Sequence, residues 1–153
     1  MLHSAEGRFL SGLHDVLAFV ALGANAVAAA WGAIAWLRKI PSTSFWPVLR
    51  VAQATVVVEV MVGVVLWLGG HEPPDSLHYI YGIAPLFVAF VTEGMRVGAA
   101  QRELEEVEGD VASLDRREQV LLARRIVLRE IGVMTIGTLL VVTLLGRAAG
   151  ALI

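Results

Sequence analysis

Four long apolar runs alternate with short polar segments along the chain. The first extends from His14 to Leu37, the second from Val51 to Gly70, the third from Leu77 to about Val97 and the fourth from about Glu130 to Ala149. A helix needs about 20 residues to cross a hydrocarbon core of ~30 Å, and the first three runs meet that length. The fourth meets it when Arg147 extends its charged head to the far interface. The pattern predicts an all-α fold, a single integral membrane four-helix bundle with spans near 14–37, 51–70, 77–97 and 130–149. The first run continues too far, and His14-Asp15 interrupts its front too early, for a cleaved signal peptide, so a retained first helix is expected.

The polar segments carry stop and start signals. KIPSTSFWPVLR, with two prolines, two serines and a threonine, reads as a connector between the first two helices. HEPPDS does the same between the second and third, where Asp75 or Ser76 is expected to cap the following helix. The longest polar segment, 98–129, has apolar residues at helical spacing, an interruption at Gly109-Asp110, and DRRE at 115–118, the pattern of a capping box. It predicts a helical hairpin that extends the third and fourth helices beyond the membrane. Glu103, Glu105, Glu106 and Glu108 on one arm then face arginines on the other.

Composition agrees with a lipid environment. The chain of 153 residues is 57% hydrophobic and 17% charged, with a mean hydropathy of +0.71. Soluble domains carry about 45–50% apolar and about 25% charged residues. There is no cysteine, which removes disulfides, thiolate metal sites and covalently attached haem. A net charge of −2 says little, but its placement is informative. Four crossings put ten of the twelve cations on the side of the 38–50 connector and the hairpin, leaving Arg8 and Arg147 opposite. By the positive-inside rule the hairpin side is cytoplasmic, and both termini and the 71–76 loop are outside. Abundant arginine with little lysine suggests a bacterial origin, hence a bacterial plasma membrane. No motif for nucleic acid, nucleotide or hydrolytic chemistry occurs.

Polar residues inside spans are costly and tend to face the bundle interior. At 100° per residue, His14, Ala18, Ala21, Asn25, Ala28 and Gly32 share one face of the first helix. Ala52, Thr55, Glu59, Gly63 and Gly70 share one on the second; His78, Gly82, Pro85, Ala89 and Glu93 share one on the third. If His14 is level with Gly70, then Asn25 is level with Glu59, and Asn25 is expected to donate to Glu59. Glu93 is expected to pair with Arg96.

His14 and His78 each open a helix on the same side of the membrane. Two imidazoles converging inside a four-helix bundle suit axial ligation of haem b, a metal, or a quinone headgroup. Three functional readings follow. The first is a non-catalytic multi-pass protein working by association, an accessory subunit of a larger, respiratory membrane complex or a homo-oligomer, with membrane lipids as its other partners. The second is a haem- or quinone-binding redox protein using His14 and His78 at the outer leaflet. The third is proton-coupled transport through Glu59 and Asn25. The small multidrug exporters also have four spans, but their working carboxylate lies in the first helix, whereas Glu59 lies in the second.

Overall fold

The computed structural model describes residues 4–73, 75–107 and 111–150. Pro74, Glu108 and the Gly109-Asp110 interruption therefore lie outside the described residues. The chain forms α1 (Ser4–Leu37), α2 (Phe45–Leu68), α3 (Leu77–Glu105) and α4 (Arg116–Ala148), with one turn of 3-10 helix at Val111–Ser113. No strand occurs among the described residues. All four helices are long and apolar enough to cross a membrane.

Helix ends differ from the sequence expectation where chain chemistry is permissive. α1 begins ten residues before His14, and α2 begins at Phe45 rather than Val51. Pro47 sits in the first turn of α2, where a missing N–H breaks no helical bond, so it permits the helix it was expected to prevent. The connector is thus only residues 38–44. Asp75, not Ser76, makes the side-chain cap of α3: its Oδ1 accepts from the His78 N–H at 2.9 Å. The capping box at 115–118 is present, with Asp115 accepting from Glu118 N at 2.8 Å and Glu118 accepting from Asp115 N at 2.9 Å.

α1 closes with Lys39 N bonded to Trp36 O and Ile40 N to Ala35 O. That is a Schellman motif with Lys39 at the left-handed position, φ 54°. Glycine fills the equivalent position after α2, where Gly70 has φ 84°. A side chain in this conformation costs about 1 kcal/mol, which glycine avoids.

Helices α1 and α2, α1 and α4, and α3 and α4 pack closely, while α2 and α3 meet only sparsely. The α1–α2 seam is antiparallel and built on small residues. Phe45 lies against Gly32, Ala52 carbonyl against Asn25, Gly63 against His14 and His71 against Gly7. Along α1, Gly7, Ala21, Ala28 and Ala35 are buried at heptad spacing. Small side chains let backbones approach, which is what drives association when lipid is as apolar as the helices. Two apolar clusters fill the axis: Ala28, Phe45, Leu49, Ile131 and Met134 towards the hairpin end, and Ala21, Val56, Val141 and Leu145 towards the terminal end. On the α3–α4 seam Gly137 accepts the side chain of Thr92, and on the α1–α4 seam Gly132 accepts the ring of Trp36.

Polar side chains hold α2 and α3 together at one end only. Arg50 and Gln53 of α2 both donate to the Glu93 carboxylate of α3. Arg96 bridges Glu93 (3.0 Å) to Glu130 of α4 (2.9 Å), and its guanidinium lies over the Trp46 ring at 5.4 Å. The expected Glu93–Arg96 pair is therefore one part of a clasp joining three helices. Beyond it, Glu103 is buried and takes Arg129 and, at 3.7 Å, Arg125 from the other arm of the hairpin. The hairpin arms thus pair with each other.

Candidate functional site

Pinned at the hairpin end by the clasp, α2 and α3 diverge towards the terminal end and leave a cleft of about 1050 Å³. Its walls are α1 around Ser11–Phe19, α2 from Glu59 to Trp67, the connector residues His71, Glu72, Pro73 and Asp75, α3 from Leu77 to Ile83, and α4 near Arg147. Phe19, Val64, Leu66, Trp67, Ile83 and Leu145 supply apolar surface. His14, Glu59, His71, His78, Tyr79 and Tyr81 supply polar groups. A large, mainly apolar recess with a few convergent polar side chains is the usual form of a small-molecule site.

The structure brings His14 and His78 together. Their ring centres are 6.1 Å apart, with the planes inclined at 70°. α1 delivers one imidazole and α3 the other, from opposite sides of the cleft. Gly63 makes room for His14, since a Cβ there would come within 3.2 Å of His14 Cε1. His14 Nδ1 lies 3.2 Å from Glu59 Oε1, within contact distance but out of line for a hydrogen bond, so this buried nitrogen has no aligned partner. His71 also lines the cleft, its ring packed on Gly7 and its Nδ1 buried without a partner. At the rim, the Arg147 guanidinium lies over the Tyr81 ring at 5.6 Å.

Asn25 and Glu59 are both buried in the bundle, but they do not meet. The Asn25 amide donates to Ala52 O of α2 at 3.1 Å and to Ala21 O of its own helix at 2.8 Å. Glu59 faces His14 instead. The expected pairing fails on register. His14 is level with Gly63, seven residues short of Gly70, an axial offset of about 10 Å at 1.5 Å per residue. The same offset carries Asn25 past Glu59 to Ala52. Because α1 begins well before His14, that histidine lies some way along its helix rather than at its mouth. Sequence reasoning thus missed the His14–Glu59 contact, and the seven-residue spacing of Gly7, His14, Ala21, Ala28 and Ala35 was the signal that α1 extends further. It also missed Arg50 and Gln53 as partners of Glu93, because the start of α2 was placed after Arg50.

No group of three or more histidine and carboxylate side chains is arranged to hold a metal ion among the described residues. Two imidazoles suffice only where the rest of the coordination comes from the ligand itself. The chain matches no protein-family model, no curated protein and no solved structure.

Proposed function

We propose that the cleft binds haem b, that His14 and His78 are the residues that would hold its iron, and that the protein is a membrane redox carrier. The observation that carries this reading is the 6.1 Å separation of the two ring centres at the wall of a recess of about 1050 Å³. Two metal–nitrogen bonds of ~2 Å each, plus the reach from each ring centre to its nitrogen, sum to about 6 Å. Rotation of either ring about its bond to the metal leaves ligation intact, so the 70° inclination is compatible with it. A porphyrin supplies four nitrogens, which removes the need for a third protein ligand. Glu59 lies 3.2 Å from His14 Nδ1, so a small turn of either group would align the hydrogen bond by which a carboxylate orients a ligating imidazole, and Arg147 at the rim suits a propionate. Bound haem would supply one-electron chemistry; the chain would supply His14 and His78 to hold it and the apolar walls of the cleft around it.

The test is the visible spectrum of protein purified from cells supplied with haem precursor. A Soret band with the sharp bands of six-coordinate, low-spin iron is expected. His14→Ala and His78→Ala should each abolish the low-spin spectrum, while His71→Ala should leave it. A wild-type protein that folds and takes up no haem overturns the reading.

A quinone is the second reading, favoured by a mainly apolar cleft between α2 and α3 that also presents hydroxyl and imidazole groups. Tyr79, Tyr81 and His78 are then donors to a carbonyl oxygen, and extraction of co-purified quinone tests it. Association as an accessory subunit rests on the hairpin, whose Glu103 is already engaged by Arg125 and Arg129, and the cleft gives it no further support. Transport through Glu59 and Asn25 has less on its side, since those groups lie on separate contacts. In the orientation proposed here, the cleft faces the outside of a bacterial plasma membrane and the hairpin the cytoplasm. The skew of cations towards the hairpin end supports it.

A further inference from the structure

At the opposite end of the bundle from the cleft, Arg38 and Lys39 close α1, and Arg124 reaches the same helix end from α4, where it caps a terminal carbonyl. Lys39 occupies the left-handed position that closes α1, where glycine is the favoured residue and where α2 uses Gly70. Arg124 crosses from α4 and donates through Nη2 to Lys39 O at 2.9 Å. That bond fixes the guanidinium beside the α1 terminus and leaves its other N–H groups unassigned. Arg38, Lys39 and Arg124 are exposed, and none makes an ion pair among the described residues. The neighbouring cations differ: Arg50, Arg96, Arg125 and Arg129 all have carboxylate partners.

The level of the cluster along the bundle is marked by tryptophans. Trp31 donates to Ser42 Oγ at 3.1 Å, and Trp36 packs on Gly132, both within about 12 Å of Lys39 along the helix. Indole rings of this kind collect at the boundary of hydrocarbon and headgroups. The three cations follow the tryptophans towards the hairpin end, which in the proposed orientation is the headgroup side of that boundary. Basic pockets between spanning helices at this level bind anionic headgroups.

We infer that Arg38, Lys39 and Arg124 form a binding site for the phosphate of an anionic phospholipid in the leaflet at the hairpin end. The occupant is a lipid rather than a soluble phosphate because the site stands against the apolar surface of Ile34, Leu37 and Ile40, all exposed, which acyl chains would cover. Lys39 at the left-handed position brings an ammonium to the α1 terminus where glycine would bring no charge. The inference is independent of what the cleft binds.

The experiment uses the purified full chain in mild detergent and follows its thermal unfolding with added phosphatidylglycerol, phosphatidylcholine or soluble glycerol phosphate. Phosphatidylglycerol should raise the midpoint by several degrees, and the other two should leave it unchanged. Lys39→Gly relieves the left-handed strain, so its lipid-free midpoint should equal or exceed that of the wild type. The phosphatidylglycerol shift should nonetheless fall by half or more, and Arg38→Gln with Lys39→Gly should remove it. Arg116→Gln with Arg117→Gln, on the outer hairpin, should retain the full shift. An equal response to glycerol phosphate would make the site one for free phosphate and overturn the proposal. So would an unchanged shift in the double variant at 38 and 39, or a loss of equal size in the pair at 116 and 117.

Discussion

The imidazole of His14 and the carboxylate of Glu59 lie 3.2 Å apart, each carried by a different helix. This contact sets the floor of the cleft. The two groups desolvate each other, and removing one leaves the other buried and polar. Glu59→Leu removes the carboxylate beside a nitrogen that already has no aligned partner, so it should destabilise the bundle by about 1 kcal/mol at most, the worth of the close contact alone. Glu59→Gln, which keeps an acceptor facing Nδ1, should lose clearly less. Unfolding in a mixed detergent series separates the two, and equal losses would mean that the contact contributes no more than packing volume.

Asn25 presents the simplest polar link between α1 and α2. Its amide reaches a backbone carbonyl, so side-chain changes on α2 cannot replace it. Asn25→Leu should cost about 0.6–1.7 kcal/mol, the range found for hydrogen bonds between membrane helices. Glu59→Leu and Asn25→Leu should be close to additive, because the two residues share no partner. Strong coupling between them would contradict the separate contacts described here.

Glycines divide into two groups by what surrounds them. A Cβ on Gly132 would approach Trp36 Cε2 to 2.8 Å, and one on Gly137 would approach Thr92 Cβ to 2.9 Å. Gly132→Ala and Gly137→Ala should lower the thermal midpoint by several degrees through separation of the packed helices. Gly12 and Gly23 have nothing within 4 Å. Alanine there should be neutral or stabilising by up to about 1 kcal/mol through helix propensity.

Glu103 is buried at the root of the hairpin with arginines from the facing arm. Glu103→Ala leaves Arg129 without its closest carboxylate, so amide exchange in the hairpin should accelerate while the spans stay protected. Arg125→Ala, which removes only the longer contact of 3.7 Å, should have a smaller effect. Exchange mass spectrometry reads both.

A cysteine-free chain permits topology mapping with single introduced thiols. Ser11→Cys and Ser76→Cys should react with an impermeant maleimide on intact cells. Thr43→Cys and Ser113→Cys should react only after the membrane is opened. The reverse result would invert the proposed orientation and place the cleft on the cytoplasmic side.

Much of the architecture was legible from hydropathy alone, because apolar runs of spanning length separated by proline and capping signals leave few alternatives. The interior faces were legible too: Ala21, Asn25, Ala28 and Ala52 are buried as their periodicity requires. Axial register was not. Rotation about a helix follows from its own sequence, but sliding along a neighbour depends on how pairs such as Gly63 and His14 fit. An error of two turns between α1 and α2 changed the partners of Asn25 and Glu59 while leaving both on their expected faces, and the Glu93–Arg96 pair within α3 was unaffected by it. The convergence of His14 with His78 survived the error, since both lie within the broad terminal end of the cleft.

The clasp at Glu93 gives α3 the mechanics of a lever. From Glu93 to His78 the helix is about 22 Å long at 1.5 Å per residue, with Pro85 buried between them and no ion pair to α2 beyond Gln53 among the described residues. A tilt of a few degrees about the fixed end therefore moves the far imidazole by about 1–2 Å. Any such tilt would have to be shared by α4, on which α3 packs closely, so the spacing of the two rings is set jointly by the Arg50, Gln53 and Arg96 anchorage and by that seam.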